Sequence, residues 1–502
     1  MNLGIDLGTT FSLASFVNAQ GVPALVPDFH NASEFRTPSV VHVSEDQALV
    51  GTAIEELLID EPGLGVARGF KQRMGEDASA LKDSQGREWP PEALSALVLK
   101  KLLRDVEAFA AESVDSCVLT VPANFDDAQR RATQLSARLA GLSRVQLVEE
   151  PVAAATFYGF SEKSAEQTLF VYDFGGGTFD ATVLQISEGR IYVLATEGHN
   201  GLGGRRIDAA LIELIVQEYR RQHARDPQDD PAAREQLRRF AEEAKIALGL
   251  PARTQLRKTL VLSGKVTELV LSREQLDRIV QPIVEETLQV SRRCLEGAGL
   301  GWNQIDRVLL TGGSSLLPSV GKRLAQETGK HGEALHCRQP HQAVAYGAAL
   351  IAEARATRPD AQPLQAVAPY HLGLRVRDPN SGVGRIEVMI KRNTPLPTKH
   401  TATFYTSRPE QTRIMLDVVQ SKGDGELVAS LGHFAFGPIK RPKKNYPVEV
   451  TLAYDAEGLV KVTAKDLITG EALERELASG DNPDLARFSR ARALLQGIAV
   501  NR

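Results

Sequence analysis

The chain has 502 residues and a formal net charge of −4, a length that suits about three domains of ~150 residues. The near-neutral charge balance gives no electrostatic reason to expect binding to nucleic acid or to an anionic membrane. No run of about 18 apolar residues predicts a membrane span, and the N-terminus lacks the basic-then-apolar pattern of a signal segment. The cysteines show no metal-ligand spacing, so we predict reduced thiols and a cytoplasmic location: Cys117, Cys294 and Cys337.

Residues 3–16 are typical of a strand, a tight turn and a second strand. The first strand ends at Asp6, and small residues follow before the apolar pattern resumes: Gly8, Thr9, Thr10 and Phe11. Backbone N–H groups of such a turn converge on phosphate oxygens, and a neighbouring carboxylate suits Mg²⁺. This segment is therefore a candidate phosphate loop.

A second copy of the pattern occurs at residues 169–186. Asp173 ends the first strand, and three glycines and a threonine precede Asp180, namely Gly175, Gly176, Gly177 and Thr178. Alone, this is equally compatible with a plain glycine-rich hairpin. The two copies lie roughly 170 residues apart, too far for a solenoid repeat. We therefore predict two similar lobes that offer one hairpin each to a shared nucleotide cleft.

Between and after the hairpins, apolar strands alternate with helical patterns, which predicts an α/β fold. The predicted strands are 38–43, 116–121, 145–148 and 307–311, and the predicted helices are 91–112, 126–140, one beginning at 149–151, 207–225, 231–249, 277–298 and 341–354. The segment 52–75 also has helical character, and its Lys71 has the pattern of an ordinary surface lysine. Glu149 and Glu150 stand where a ligand site or a favourable helix N-terminal charge is expected.

After the last of these predicted helices, the residue pattern of the chain changes. Residues 356–370 are proline-rich and predict a linker. From residue 371 the apolar period becomes two, which indicates an antiparallel sandwich of seven or eight strands. A short apolar stripe near the end predicts a helix that packs on its own domain. The resulting division is a two-lobed nucleotide-binding domain 1–358, a linker 359–370, a β-sandwich 371–478 and a C-terminal helix 479–502.

Several motifs together resemble the seventy-kilodalton heat-shock chaperone family, within the actin and sugar-kinase superfamily. The two hairpins look like its two phosphate loops, and residues 121–130 and 149–155 look like its interdomain segments. Thr311-Gly312-Gly313-Ser314-Ser315 resembles its adenosine loop, and 460–466 resembles its substrate domain. The resemblance covers about residues 1–478. It implies a two-lobed actin-like ATPase followed by an all-β peptide-binding domain.

The resemblance also implies roles. Asp6 and Asp173 would hold Mg²⁺, mostly through its water shell. Lys71, Glu150, Asp173, Thr178 and Asp180 would serve ATP hydrolysis. The loops 8–11 and 175–178 would hold the phosphates, and Gly203, Gly204, Glu242, Lys245, Gly312, Gly313 and Ser314 would surround the sugar and base. Pro122 and Arg130 match a relay toward the linker. Implied partners are unfolded apolar peptides, a J-domain co-chaperone and a nucleotide-exchange factor.

This sequence departs from the family pattern at several points. Ile246 and Leu316 stand where relatives carry arginines, and His341 replaces an acid near the base. The linker reads Pro363-Leu364-Gln365-Ala366 in place of Leu-Leu-Leu-Asp. Only about 36 residues follow Asp466, from which we expect a variant without the family's long helical lid and with fast peptide exchange.

Two other functions fit the same superfamily. A small-molecule kinase would phosphorylate a sugar or polyol, but the all-β third domain carries no catalytic-looking cluster. A nucleotide-sensing scaffold would bind ATP without turnover, against which the retained acids and Lys71 argue. The primary prediction is an ATP-dependent chaperone that hydrolyses ATP on magnesium.

Overall fold

The computed structural model describes residues 1–501 apart from 32, 112, 160–165, 189, 224, 358–363, 378–383, 423–424 and 477–482. The described residues form ten α-helices, two six-stranded sheets, three four-stranded sheets and two small hairpin sheets. No helix in this described part of the chain is both long and apolar enough to cross a membrane.

We call the part built on the first six-stranded sheet the first lobe. Its strands lie in the order Arg144–Glu149, Ser116–Val121, Leu3–Asp6, Phe11–Val17, Pro23–Leu25, with Thr37–Pro38 pairing beside Phe11–Val17. The first three are parallel, whereas Phe11–Val17 runs antiparallel to Leu3–Asp6. Carboxyl ends of parallel strands share one edge, so Asp6 and the turn after Glu149 meet there.

The remaining first-lobe elements surround this sheet. The helices are Thr52–Asp60, Pro91–Ala110 and Asp127–Leu139, and a smaller sheet contains Val40–Val43, Gln47–Val50 and Ala67–Arg68. The helical character predicted over 52–75 ends at Asp60, because Pro62 and three glycines follow. Lys71 therefore lies in a short 3₁₀ turn, Phe70–Arg73. A hairpin joins Leu81–Lys82 to Glu88–Trp89.

The second lobe repeats the plan. Its sheet has the order Leu335–His336, Arg307–Thr311, Gln167–Phe174, Thr178–Ser187, Arg190–Asn200, Leu364–Gln365. Asp173 and Asp180 lie directly opposite each other in the central hairpin. Outside the sheet are the helices Gly204–His223, Pro231–Gly249, Arg273–Ala298 and Pro318–Thr328, and the hairpin Gln255–Leu262 with Lys265–Ser272.

Two helices of small residues, Glu150–Gly159 and Ala343–Thr357, lie between the two sheets and share one core with strands of both. Their backbones approach so closely that a side chain at Gly347 would overlap the carbonyl of Ala153. Gly4 likewise leaves room for the backbone of Ala349. Small side chains therefore let the two sheets come together behind the hairpins.

The last large unit is the predicted sandwich. One sheet contains His371–Arg377, Gly384–Ile390, Ile414–Ser421 and Leu427–Phe436; the other contains Thr398–Tyr405, Pro447–Tyr454, Val460–Asp466 and Ala472–Glu476. Both sheets contribute to one apolar core. The eight strands confirm the prediction of seven or eight. The sequence pattern predicted them because every second residue of such a strand is apolar and faces the core.

Two connecting segments carry more structure than their patterns indicate. Leu364–Gln365, in the predicted linker, pairs with Ile191–Tyr192 as an edge strand of the second lobe, while 358–363 lie outside the described residues. The C-terminal helix, Pro483–Leu495, packs on helices of the first lobe and is followed by a strand, Ala499–Val500, paired with Gln47–Ala48. The prediction that this helix packs on its own domain is therefore wrong.

Candidate active site between the lobes

Both acid-bearing hairpins line one cavity where the lobes meet. The residues lining it come from both halves of the chain. Of the predicted site residues, it contains Asp6, Gly8, Thr9, Thr10, Phe11, Lys71, Glu150, Asp173, Gly175, Gly176, Thr178, Gly312 and Gly313. Strand ends, turns and a helix N-terminus that are far apart in the chain thus place these residues in a common pocket. Asp180 does not line this cavity and is 2% exposed.

Lys71 is not a surface lysine. Its side chain is 6% exposed, and Nζ donates a hydrogen bond to Glu150 Oε1 at 2.6 Å. The ammonium group also lies 5.8 Å from the centre of the Phe125 ring. A buried charge requires such a partner, so the pair holds one cation and one carboxylate at the wall of the cavity.

The site concentrates negative charge. Burial and the charge of Glu150 raise the pKa of Asp6 to about 7. Burial, Glu150 and Asp6 raise the pKa of Asp173 to about 8. The pKa of Asp180 is raised well above its usual range by burial, with repulsion from Glu150 and Asp173. One lysine does not neutralise four carboxyl groups, so the site favours an additional cation.

Glycines in both loops allow neighbouring backbone and side-chain atoms to approach closely. A side chain at Gly8 would overlap the carbonyl of Phe11, and one at Gly176 would overlap the hydroxyl of Thr10. Thr10 Oγ1 is buried without a hydrogen-bond partner. A buried hydroxyl of this kind costs free energy unless a ligand satisfies it, and a phosphate oxygen would do so.

Three of the other residues predicted to bind nucleotide, Gly204, Ser314 and Lys245, lie beside the glycine turn 175–178. Gly204 N donates to Gly175 O at 3.0 Å, and Ser314 Oγ donates to the same oxygen at 2.8 Å. Lys245 pairs with Asp208 at 2.7 Å. Gly204, Ser314 and Lys245 do not line the cavity containing Asp6, and neither do the remaining three, Gly177, Gly203 and Glu242. Glu242 pairs with Arg238 at 3.0 Å.

Two residues near the cleft, Gln72 and Arg36, belong to no motif recognised in the sequence. Gln72 Nε2 donates to Gly177 O at 2.6 Å, and Gln72 Oε1 accepts from Arg205 at 2.8 Å. Arg36 lines the cavity, with its guanidinium carbon 4.9 Å from the centre of the Phe11 ring. No motif surrounds Arg36 in the sequence, so nothing there predicted its place at the cavity, whereas Gln72 directly follows the predicted site residue Lys71.

The residues that would bind Mg²⁺ fit that ion. The donors are carboxylate oxygens, which hard cations prefer, and Mg²⁺ usually keeps several waters and takes one or two protein carboxylates. Within the described residues, no group of three or more His, Cys, Asp or Glu side chains is arranged to hold a metal directly. Asp6 and Asp173 line the same cavity, and mutual repulsion between them gives a cation an electrostatic role there.

The sandwich contacts both lobes close to this site. On the first lobe, Arg130 donates to Glu457 O and to Glu149, each at 3.0 Å. The contact to the second lobe is made by Arg392 of the sandwich, which pairs with Glu197 at 2.9 Å and donates to Thr196 O at 2.6 Å. Since Glu149 precedes Glu150, the contact to the sandwich begins one residue from an acid that lines the cavity.

The fold and site define a protein with two α/β lobes around a charged cleft and an attached β-sandwich. The family model described as Hsp70 protein matches residues 2–484. The chain therefore belongs to the Hsp70 family, and the resemblance stated from its motifs is confirmed. Members of this family are ATPases that bind ATP or ADP.

Proposed function

We propose that this protein hydrolyses ATP on Mg²⁺ and couples hydrolysis to the binding and release of unfolded polypeptide segments. The observation that carries the proposal is the common cavity lined by Asp6, Lys71, Glu150 and Asp173 together with both glycine loops. Phosphoryl transfer depends mainly on positioning and charge neutralisation. The cavity offers the positioning, and the Mg²⁺ that its acids would hold would supply most of the neutralising charge.

The residues divide the work by their chemistry. Asp6 and Asp173 would hold Mg²⁺, which neutralises phosphate charge when bound. Thr9, Thr10 and the 175–178 turn offer N–H and hydroxyl donors to phosphate oxygens. Lys71 would meet the γ-phosphate and orient the attacking water. Glu150, which accepts a hydrogen bond from Lys71, would together with Asp180 help to polarise that water or order its network.

The sandwich would take extended apolar segments, as the family resemblance implies. Its attachment to both lobes through Arg130 and Arg392 supplies a physical route between the two activities. A J-domain co-chaperone and a nucleotide-exchange factor are the proposed protein partners.

The decisive experiment measures ATP turnover with and without an unfolded apolar peptide. We expect magnesium-dependent turnover that the peptide stimulates. Phosphorylation of a sugar or polyol would instead identify a small-molecule kinase. Nucleotide binding without turnover would identify a sensor, and either result refutes the proposal.

A further inference from the structure

Arg36 lines the cavity between the lobes, and backbone contacts fix the segment that carries it. The short strand Thr37–Pro38 directly after it pairs with Phe11–Val17, the strand that follows the first glycine loop. The Ser39 hydroxyl donates to Gly8 O at 2.7 Å, inside that loop. The side chain of Arg36 is held as well, because its guanidinium carbon lies 4.9 Å from the centre of the Phe11 ring.

Arg36 also differs from the other cation of the cavity in how it is paired. Among the described residues that line the cavity, Lys71 and Arg36 are the lysine and the arginine. Lys71 donates to Glu150 at 2.6 Å, whereas the ion pair of Arg36 with Glu34 spans 3.6 Å, which is too long for a hydrogen bond. Within the described part of the chain, the Arg36 guanidinium donates no hydrogen bond, so its donors are available to a ligand.

His341 lies near Arg36 on the second-lobe side of the cavity. A side chain at Gly313 would come within 2.6 Å of Cε1 of the His341 ring, so the ring lies directly against the backbone of Gly313. Burial and the charge of Arg36 lower the pKa of His341, and the ring is therefore neutral at pH 7. An acid at this position would compensate the charge of Arg36, whereas the neutral ring leaves that charge free to act on an anion.

The backbone of the turn Gly312-Gly313 shows where Arg36 lies relative to the acids. A side chain at Gly312 would come within 2.7 Å of Asp173 Oδ1, whereas one at Gly313 would meet His341. The wall of the cavity therefore leads from Asp173, a proposed magnesium ligand, to His341 and Arg36. In the proposed nucleotide site Gly312 and Gly313 surround the sugar and base, so Arg36 lies on the nucleoside side of the metal acids.

We propose that Arg36 binds the α-phosphate, the phosphate attached directly to the nucleoside, and thereby helps this site to select nucleotides over nucleosides. The inference rests on the proposed nucleotide site and adds a residue to it. A guanidinium presents a planar fork of donors that matches two phosphate oxygens. Magnesium at the acids would act on the outer phosphates, which leaves the α-phosphate to a cation of the protein itself.

The test measures equilibrium binding of ADP, AMP and adenosine to the full-length protein, by displacement of a fluorescent ADP analogue. Arg36→Gln should weaken ADP and AMP about tenfold each, the effect of losing a charge-assisted hydrogen bond, and leave adenosine unchanged. Arg36→Lys keeps the charge without the fork and should lose less. Arg138→Gln, at an exposed arginine outside the cavity, is the control and should bind all three like the wild type.

Unchanged binding of ADP and AMP in Arg36→Gln would overturn the inference. A loss confined to ADP would place Arg36 at an outer phosphate, and an equal loss for adenosine would mean that Arg36 only shapes the site; both results also overturn it. A wild-type protein that binds none of the three compounds would refute the proposed function as well, so the two failures can be told apart.

The ³¹P spectrum of bound ADP gives a second measurement that a purely structural role would not reproduce. Replacing Arg36 by Gln should shift the α-phosphate resonance more than the β-phosphate resonance. If Arg36→Gln lowers the thermal stability of the ligand-free protein, Arg36→Lys is compared with the wild type in the same way. A larger shift at the β-phosphate in either variant would contradict the assignment.

Discussion

Glu149 and Glu150 are neighbours in the chain, yet their carboxylates hold different cations. Glu150 accepts a hydrogen bond from Lys71 at 2.6 Å in the cleft, and Glu149 accepts one from Arg130 at 3.0 Å toward the sandwich. The two residues lie at the junction of strand Arg144–Glu149 and helix Glu150–Gly159. Because both ion pairs begin at this junction, a shift of the junction would move both of them. The junction therefore links the cleft mechanically to the sandwich.

Arg130→Lys tests this link. Lysine keeps a positive charge beside Glu149 but lacks the forked donor that also reaches Glu457 O, Phe125 O and Ala123 O. We expect basal ATP turnover to change little and peptide stimulation to fall about tenfold, equivalent to one or two hydrogen bonds. Arg138→Lys on an exposed part of the same helix is the control. Equal stimulation in both variants would show that Arg130 does not couple the two sites.

Lys71→Ala tests the proposed chemistry. Loss of the ammonium group removes charge stabilisation in the cleft, so single-turnover ATP hydrolysis should fall by about 10² to 10³. It also leaves Glu150 buried without a partner, which costs about 3–5 kcal/mol in the free energy of unfolding. Lys82→Ala, at an exposed lysine of the first lobe, serves as the control.

The double variant Lys71→Ala with Glu150→Gln separates these effects. It removes the unpaired charge, so we expect the free energy of unfolding to recover while hydrolysis stays low. Hydrolysis that recovers together with stability would mean that Lys71 has only a structural role.

The raised pKa values of Asp6 and Asp173 predict how stability depends on pH in magnesium-free buffer. The folded protein retains protons on these acids up to pKa values of about 7 and about 8, whereas the unfolded chain releases them near pH 4. The folded state therefore binds more protons between these limits, and its stability falls as pH rises from about 4 to 8.

Asp173→Asn isolates this contribution. The asparagine cannot ionise, so the variant should lose less stability than the wild type between pH 5 and 8, with each extra bound proton accounting for at most about 1.4 kcal/mol per pH unit. Urea unfolding at several pH values measures the difference. Parallel pH profiles for the two proteins would contradict the prediction.

The sequence predicted the site best where the residues that form it are close together in the chain. Each Asp-to-Gly hairpin can be recognised within about a dozen residues, because strand pattern, turn glycines and carboxylate are contiguous. Lys71 and Glu150 lie 79 positions apart, and only the family resemblance brought them together. Local pattern alone favoured a surface role for the lysine.

Local sequence patterns did not predict which distant elements the C-terminal helix and the linker would contact. The stripe containing Leu495 and Ile498 indicates that a helix must bury one face, but the stripe does not specify whether the sandwich or the first lobe covers it. Likewise, Leu364–Gln365 becomes a strand only because the sheet edge at Ile191–Tyr192 is available. Tertiary context decides such short strands, whose intrinsic preference is weak.

Gln72 offers a direct test of lobe closure. Its amide joins the two lobes through Gly177 O and Arg205, and each hydrogen bond stabilises the contact between the lobes by about 0.5–1.5 kcal/mol. Gln72→Ala should therefore release a fluorescent ADP analogue about tenfold faster, whereas exposed Gln85→Ala should leave release unchanged. Stopped-flow displacement measures both rates. Because Arg205 contacts the same amide, Arg205→Ala should add less than its full effect in the Gln72→Ala background; fully additive effects would mean that the two residues do not close the cleft as one unit.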